Sequence, residues 1–184
     1  MPLSDEELKK IDIHALLENR PKKDIYYLTI ASVIAQASFD PSSKCGAVIV
    51  SYDGRILSTG YNGPLKHSKD EEIPLVRPNR YFHMIHSEEN AILAYNGSYQ
   101  DIVNSTIYVT SRPCHRCLRM IIQKGITRVV YGQGITRVVD KDDLEAQEIM
   151  LRHHPEVIMI QIKDNSEIQN LLNKTSGYIE NKKI

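Results

Sequence analysis

His86, Glu88, Cys114 and Cys117 are the residues whose types and spacing could do chemistry in this 184-residue chain. They lie in two short stretches, His86-Ser-Glu-Glu-Asn90 and Pro113-Cys-His-Arg-Cys117. An imidazole and two thiols are donors that zinc takes. A structural zinc is closed by four protein ligands, whereas a catalytic one keeps three and leaves a position for water. His86, Cys114 and Cys117 make three, and a zinc ion held this way lowers the pKa of water toward roughly 7. Glu88 follows the His by two residues and is better placed to carry protons than to bind metal.

Cys114 and Cys117 in the first turn of a helix would share one face. The positive end of that helix favours their thiolate forms. Two thiolates cancel the charge of the ion, so Arg112 and Arg116, flanking Cys114, are candidates to restore it. Other readings compete. A Cys-x-x-Cys pair alone fits a redox pair or a structural zinc knuckle, for which His83 is the spare fourth donor. Cys45 stands outside the pattern and reads as a small core residue.

The bulk numbers suit one ordinary soluble globule. The chain has 21.0 kDa of mass, and 41% of its residues are hydrophobic and 25% charged. Its 23 basic residues balance 23 acidic ones, which gives no general attraction to nucleic acid phosphates. Three cysteines, two of them in one motif, speak against a disulfide framework and for a reducing compartment. No membrane span or basic-then-apolar leader is apparent, so a cytoplasmic location is expected.

The elements that must position the four residues follow from periodicity. Ser4 and Glu7 form a capping box for a polar helix over about Asp5 to Glu18. Asp24 is a fair N-cap for a helix through Ala37. Cys45–Val50 and Arg55–Gly60 read as strands of a hairpin turned at Asp53-Gly54. Pro64 to Ile85 reads as an irregular loop that delivers the chain to His86. A helix from His86 to Tyr95, a strand over Ser105–Thr110, a helix over Cys114–Lys124 with Pro113 in its first turn, and a strand over Thr127–Tyr131 follow. Gly125-Ile-Thr-Arg-Val-Val130 recurs as Gly134-Ile-Thr-Arg-Val-Val139, too short for a solenoid repeat. A helix over Lys141–His153, an edge strand over Glu156–Ile162 and a polar tail with a short helix complete the chain. Strands alternating with helices predict a three-layer α/β/α sandwich on a mixed five-stranded sheet. The expected boundaries are an N-terminal helical extension over 1–23, a core domain over 24–163 and a tail over 164–184.

The pairing His-x-Glu…Pro-Cys-x-x-Cys is an established signature of zinc deaminases acting on cytosine or adenine rings. It combines here with Ser38-Phe-Asp-Pro41, Lys44-Cys-Gly-Ala-Val-Ile-Val50 and Thr59-Gly-Tyr-Asn-Gly-Pro64. Together these stretches make the chain resemble the deoxycytidylate (dCMP) deaminases of the cytidine deaminase-like superfamily, over about Asp24 to Tyr131. The resemblance implies hydrolysis of dCMP to dUMP and ammonia, supplying dUMP for thymidylate synthesis. Zn2+ would sit on His86, Cys114 and Cys117, with Glu88 as the proton carrier.

By the same resemblance Asn62 would hold the deoxyribose hydroxyl, and Lys44 or Arg80 would meet the phosphate. Gly60, Tyr61 and Gly63 would line a regulatory nucleotide site. A homo-oligomer is implied, a hexamer foremost, activated by dCTP with Mg2+ and inhibited by dTTP. Ser87 and Leu118 stand where that family usually has Ala, and the Tyr often found shortly after the strand ending at Tyr131 is missing. On the residues alone, Asn62 reads first as a turn former, and Lys44 and Arg80 equally as surface charges. The competing functions are a bifunctional dCMP/dCTP deaminase, a tRNA-type nucleic-acid deaminase and a non-catalytic nucleotide-sensing binder. Neutral charge weighs against the nucleic acid reading, and retention of Glu88 against the binder.

Overall fold

The computed structural model describes residues 4–18, 20–74, 76, 78–134 and 140–180. The capping box forms as read, with Ser4 Oγ accepting from the Glu7 N–H at 3.3 Å and Glu7 Oε2 accepting from the Ser4 N–H at 2.8 Å. The N-terminal stretch is nevertheless two helices, α1 (Asp5–Leu8) and α2 (Ile13–Glu18). Asp12 accepts a hydrogen bond from the His14 N–H at 2.9 Å, so the chain restarts there. Next come α3 (Lys23–Ala35), β1 (Gly46–Val50) and β2 (Ile56–Tyr61). Gly54 takes φ +91° in the β1–β2 turn, a conformation that favours glycine.

The stretch read as an irregular loop contains a small ribbon, in which β3 (Gly63–Pro64) pairs antiparallel with β4 (Met84–Ile85). Beyond it lie α4 (Ser87–Ala94), α5 (Tyr99–Ile102), β5 (Thr106–Val109), α6 (His115–Gln123) and β6 (Arg128–Tyr131). The chain continues through α7 (Lys141–His153), β7 (Ile158–Gln161) and α8 (Ser166–Glu180). The first copy of the repeated hexapeptide leads into β6. All but Gly134 of the second lies outside the described residues.

The sheet runs β2-β1-β5-β6-β7. Its first two pairings are antiparallel and its last two parallel, as a hairpin followed by crossover helices requires. Alternate residues point to opposite faces. Val48, Val50, Tyr108 and Val130 pack with Ile25, Leu28 and Ala31 of α3. Ala47, Ile49, Ile107, Val109, Val129 and Tyr131 pack with Ala91 of α4 and with Leu118 and Ile121 of α6. These are the expected three layers.

Two expectations are corrected. Asp24 does not cap α3, whose N-cap is Lys22. Its carboxylate accepts from Arg128 Nη2 at 2.7 Å, Arg128 Nη1 at 2.9 Å and the Tyr108 hydroxyl at 3.0 Å, tying α3 to β5 and β6. The tail is not loose through Glu180 either. It forms the 15-residue α8, because Ile168 and Leu172, one turn apart, bury against the α3 layer.

Gly60 sets how close β2 comes to α4. A Cβ there would lie 2.3 Å from the Ala91 N and 2.4 Å from the Ser87 O, both backbone atoms. Gly60→Ala is therefore expected to destabilise the fold by about 1–3 kcal/mol through overpacking. A urea denaturation midpoint unchanged from wild type would contradict this.

Candidate active site

Two of the four chemically suggestive residues open helices. His86 is the N-cap of α4 and Cys114 the N-cap of α6, each in extended backbone and neither using its side chain to cap. Pro113, expected in the first turn, lies one residue before that N-cap. Cys117 falls in the first turn of α6 and is buried. As the sequence implied, the two helix starts converge: His86 Nδ1 lies 3.3 Å from Cys117 Sγ and 3.6 Å from Cys114 Sγ. All three donor atoms fall within 4.8 Å of one another. Among the described residues this cluster has three members, and His83 is not one of them.

The donors crowd enough to contest protons. Cys117 hydrogen-bonds Cys114 and His86 adds its charge, holding the Cys114 thiol down at about 3. The Cys117 thiol is pushed up, first by the neighbouring Cys114 sulfur and then by burial. The bond to Cys114 raises His86 to about 9. A divalent cation fits such a set, since metal binding displaces these protons. Two sulfurs and an imidazole are the donors zinc prefers, and three of them leave it a further position.

The cluster lines a cavity of about 550 Å³, within the range of small-molecule sites. Glu88 lines it too and is 5% exposed. Burial raises its pKa, against the opposing pull of His86. The Ser87 hydroxyl donates to Glu88 Oε2 at 2.8 Å and so fixes the carboxylate. Ser87 was noticed in the sequence only as a departure from Ala. Its contact with the next residue could have been suspected from adjacency alone.

The remaining candidates divide. Asn62 lines the cavity, with Oδ1 accepting from the Cys45 N–H at 2.7 Å and Nδ2 donating to the Ser43 carbonyl at 2.9 Å. It therefore holds the start of β1 as well as facing the space. Arg80 also reaches the cavity, but its Nη2 lies 2.6 Å from Asp40 Oδ2 and both side chains are buried. Its charge is paired with Asp40, while its buried Nε and Nη2 make no hydrogen bond among the described residues. Lys44 is exposed, directs Nζ toward the Gln36 carbonyl at 3.4 Å and does not line the cavity.

Gly60 and Gly63 are buried, whereas Tyr61 is 42% exposed, so Tyr61 is the member of that trio that presents a side chain to solvent. Arg112 does not reach for the sulfurs; it donates to Gln147 Oε1 at 3.1 Å and to the Tyr131 hydroxyl at 3.2 Å. Cys45 lies in the cavity wall, and burial pushes its thiol up. Sequence reading missed Arg119, which lines the cavity with Arg116; both are exposed and in no ion pair among the described residues. Its spacing, three from Arg116 on one helix, was the available signal.

Residues 21–133 match the family described as the cytidine and deoxycytidylate deaminase zinc-binding region. The chain belongs to this family. It is 35% identical to the deoxycytidylate deaminase of Homo sapiens over 131 residues, 68% of this chain and 71% of the relative. It is 36% identical over 126 residues to the deoxycytidylate deaminase of Mycobacterium phage D29, covering 61% of this chain and 96% of that one. Among solved structures, a dCMP deaminase from the cyanophage S-TIM5, in complex with dCMP and dUMP, is similar at 25% identity. That match has a TM-score of 0.60 and covers 78% of this chain and 98% of the other.

For a zinc-binding deaminase of this family, the purified chain is expected to carry zinc at a single site. His86→Ala, Cys114→Ser and Cys117→Ser are each expected to lose it on dialysis against a mild chelator. Elemental analysis of the dialysed proteins checks this, and full zinc retention in all three variants would move the metal elsewhere.

Proposed function

We propose that this chain hydrolyses dCMP to dUMP and ammonia, with His86, Cys114 and Cys117 holding zinc and Glu88 carrying the protons. The observation that carries the reading is a buried carboxylate and three metal donors facing one cavity. When bound, the zinc supplies Lewis-acid activation of water near neutral pH. Glu88 takes one proton of the attacking water to the ring nitrogen, then takes the second from the hydroxyl left on the ring carbon to the departing amine, so one carboxylate serves twice as base and then acid. Its raised pKa suits that alternation, because an effective proton carrier lies near the working pH. Ser87 keeps one carboxylate oxygen in place throughout.

Asn62 retains one lone pair and one N–H beyond its backbone contacts, enough to take a deoxyribose hydroxyl. Lys44 lies away from the cavity and Arg80 is matched by Asp40, so the phosphate falls to Arg116 and Arg119 at the wall formed by α6. The same reading carries dCTP with Mg2+ as activator, dTTP as inhibitor and a hexameric assembly. What supports assembly is the exposure of apolar side chains on both outer layers, Tyr26 and Val33 of α3 and Leu93 of α4, which are 46%, 55% and 64% exposed. A cytoplasmic location accords with the finding that no described helix is long and apolar enough to cross a membrane.

Zinc-loaded protein is expected to convert the absorbance of dCMP to that of dUMP with stoichiometric ammonia. Glu88→Gln should lower kcat by about 10²–10⁴ while dCMP binding, followed by calorimetry, persists. No ammonia from the wild type would refute the assignment. Arg116→Ala and Arg119→Ala are each expected to raise KM for dCMP about tenfold, as loss of a charge-assisted hydrogen bond does, with a smaller effect on deoxycytidine. Equal effects on both substrates would remove the arginines from the phosphate.

A further inference from the structure

Cys114 creates a capping problem for its own helix. An N-cap side chain normally accepts from first-turn N–H groups, which otherwise have no partner. The sulfur of Cys114 stands among the metal donors and faces the Cys117 N–H, which leaves the His115 N–H, at the first helical position, to another acceptor. The acceptor comes from a different helix. Asp143, in the first turn of α7, receives the His115 backbone N–H on Oδ1 at 2.9 Å, and the His115 ring nitrogen Nδ1 lies 2.5 Å from the same oxygen. A carboxylate is well matched to the positive end of α6.

Gln147 completes the hold from the other side. Its Nε2 donates to the Pro113 carbonyl at 3.2 Å and to Asp143 Oδ2 at 2.6 Å, while its Oε1 accepts from Arg112 Nε at 3.1 Å. Gln147 is fully buried at 0% exposure. The carbonyl just before Cys114 and the N–H just after it are thus both gripped by side chains four residues apart on α7, hence on one helix face. Asp143 is anchored in turn, since its own N–H donates to the N-cap Asp140 at 2.8 Å. Arg112 extends the grip to the Tyr131 hydroxyl at the end of β6.

We propose that Asp143 and Gln147 are positioning residues of the metal centre, clamping the backbone on both sides of Cys114 so that its sulfur is left to the ion. The proposal rests on the reading of His86, Cys114 and Cys117 as the zinc ligands. Neither residue is among the metal donors, and each acts through the main chain that carries one of them. Side chains that orient ligands in this way change metal affinity by about 10–100-fold when removed.

The test uses the full chain loaded with zinc or with cobalt. Zinc affinity is measured by competition with a chromophoric chelator, and the Co2+ form is examined for its thiolate charge-transfer and d–d absorption. Asp143→Ala and Gln147→Met are expected to weaken zinc binding about 10–100-fold and to shift the cobalt bands. Asp143→Asn, which keeps an acceptor oxygen for the His115 N–H, should recover most of the loss. If Asp143→Ala does not fold, Gln147→Met against Asp143→Asn carries the same contrast. Folded Gln147→Met with wild-type affinity and spectrum would overturn the proposal. A wild-type chain that binds neither metal would instead overturn the zinc reading beneath it, so the two failures are distinguishable.

Discussion

Three groups that compete for protons are forced within 4.8 Å of one another, and the rest of the molecule exists in a form that tolerates this. Two sulfurs and an imidazole in a partly dehydrated recess are unfavourable unless something neutralises them. The protein answers partly with proton sharing and partly with backbone dipoles. The ligands lie at the starts of two helices, where unpaired N–H groups concentrate about half a positive charge each. The start of α4 faces the recess without a side-chain cap, whereas the start of α6 is met from behind by the Asp143 carboxylate.

Convergence of those helix starts follows from how the sheet is connected. β5 and β6 are parallel, so the helix between them must cross over and begin beyond the end of β5. That places Cys114 at the sheet edge where open α/β folds commonly bind ligands. α4 is brought to the same edge by its packing on the β1–β2 hairpin, where the absence of a side chain at Gly60 lets backbone meet backbone. The buried pair Arg80 and Asp40 then fastens the long segment before His86 to the loop after α3. The starts of α4 and α6 thereby carry each of the candidate groups.

Much of this arrangement was legible in the sequence because it is local. The hairpin turn at Gly54, the period-two strands and the motif spacing each encode their own geometry, and the His86, Cys114 and Cys117 donors that residue types and a known signature singled out do come together. What escaped reading depends on contacts between distant segments. Asp24 reads as a helix cap until Arg128 and Tyr108 arrive from strands that only the fold brings near. Arg80 reads as a surface charge until the fold buries it beside Asp40. Asp143 and Gln147 look like ordinary members of an amphipathic helix, because nothing in their own stretch announces two peptide groups near Cys114. α8 was underestimated for the same reason: its apolar residues are few, and their burial needs α3.

The bonds from α7 to the cysteine turn join positions 28 or more residues apart, and the α7 partner always comes later in the chain. During synthesis both sulfurs therefore leave the ribosome before the helix that steadies them, by a delay on the order of seconds at typical elongation rates. In that window the thiols are held only by their own segment and are open to oxidants and to stray soft metals. Docking of α7 then completes the hold on the cysteine turn, so the order of residues along the chain sets when that turn is fixed.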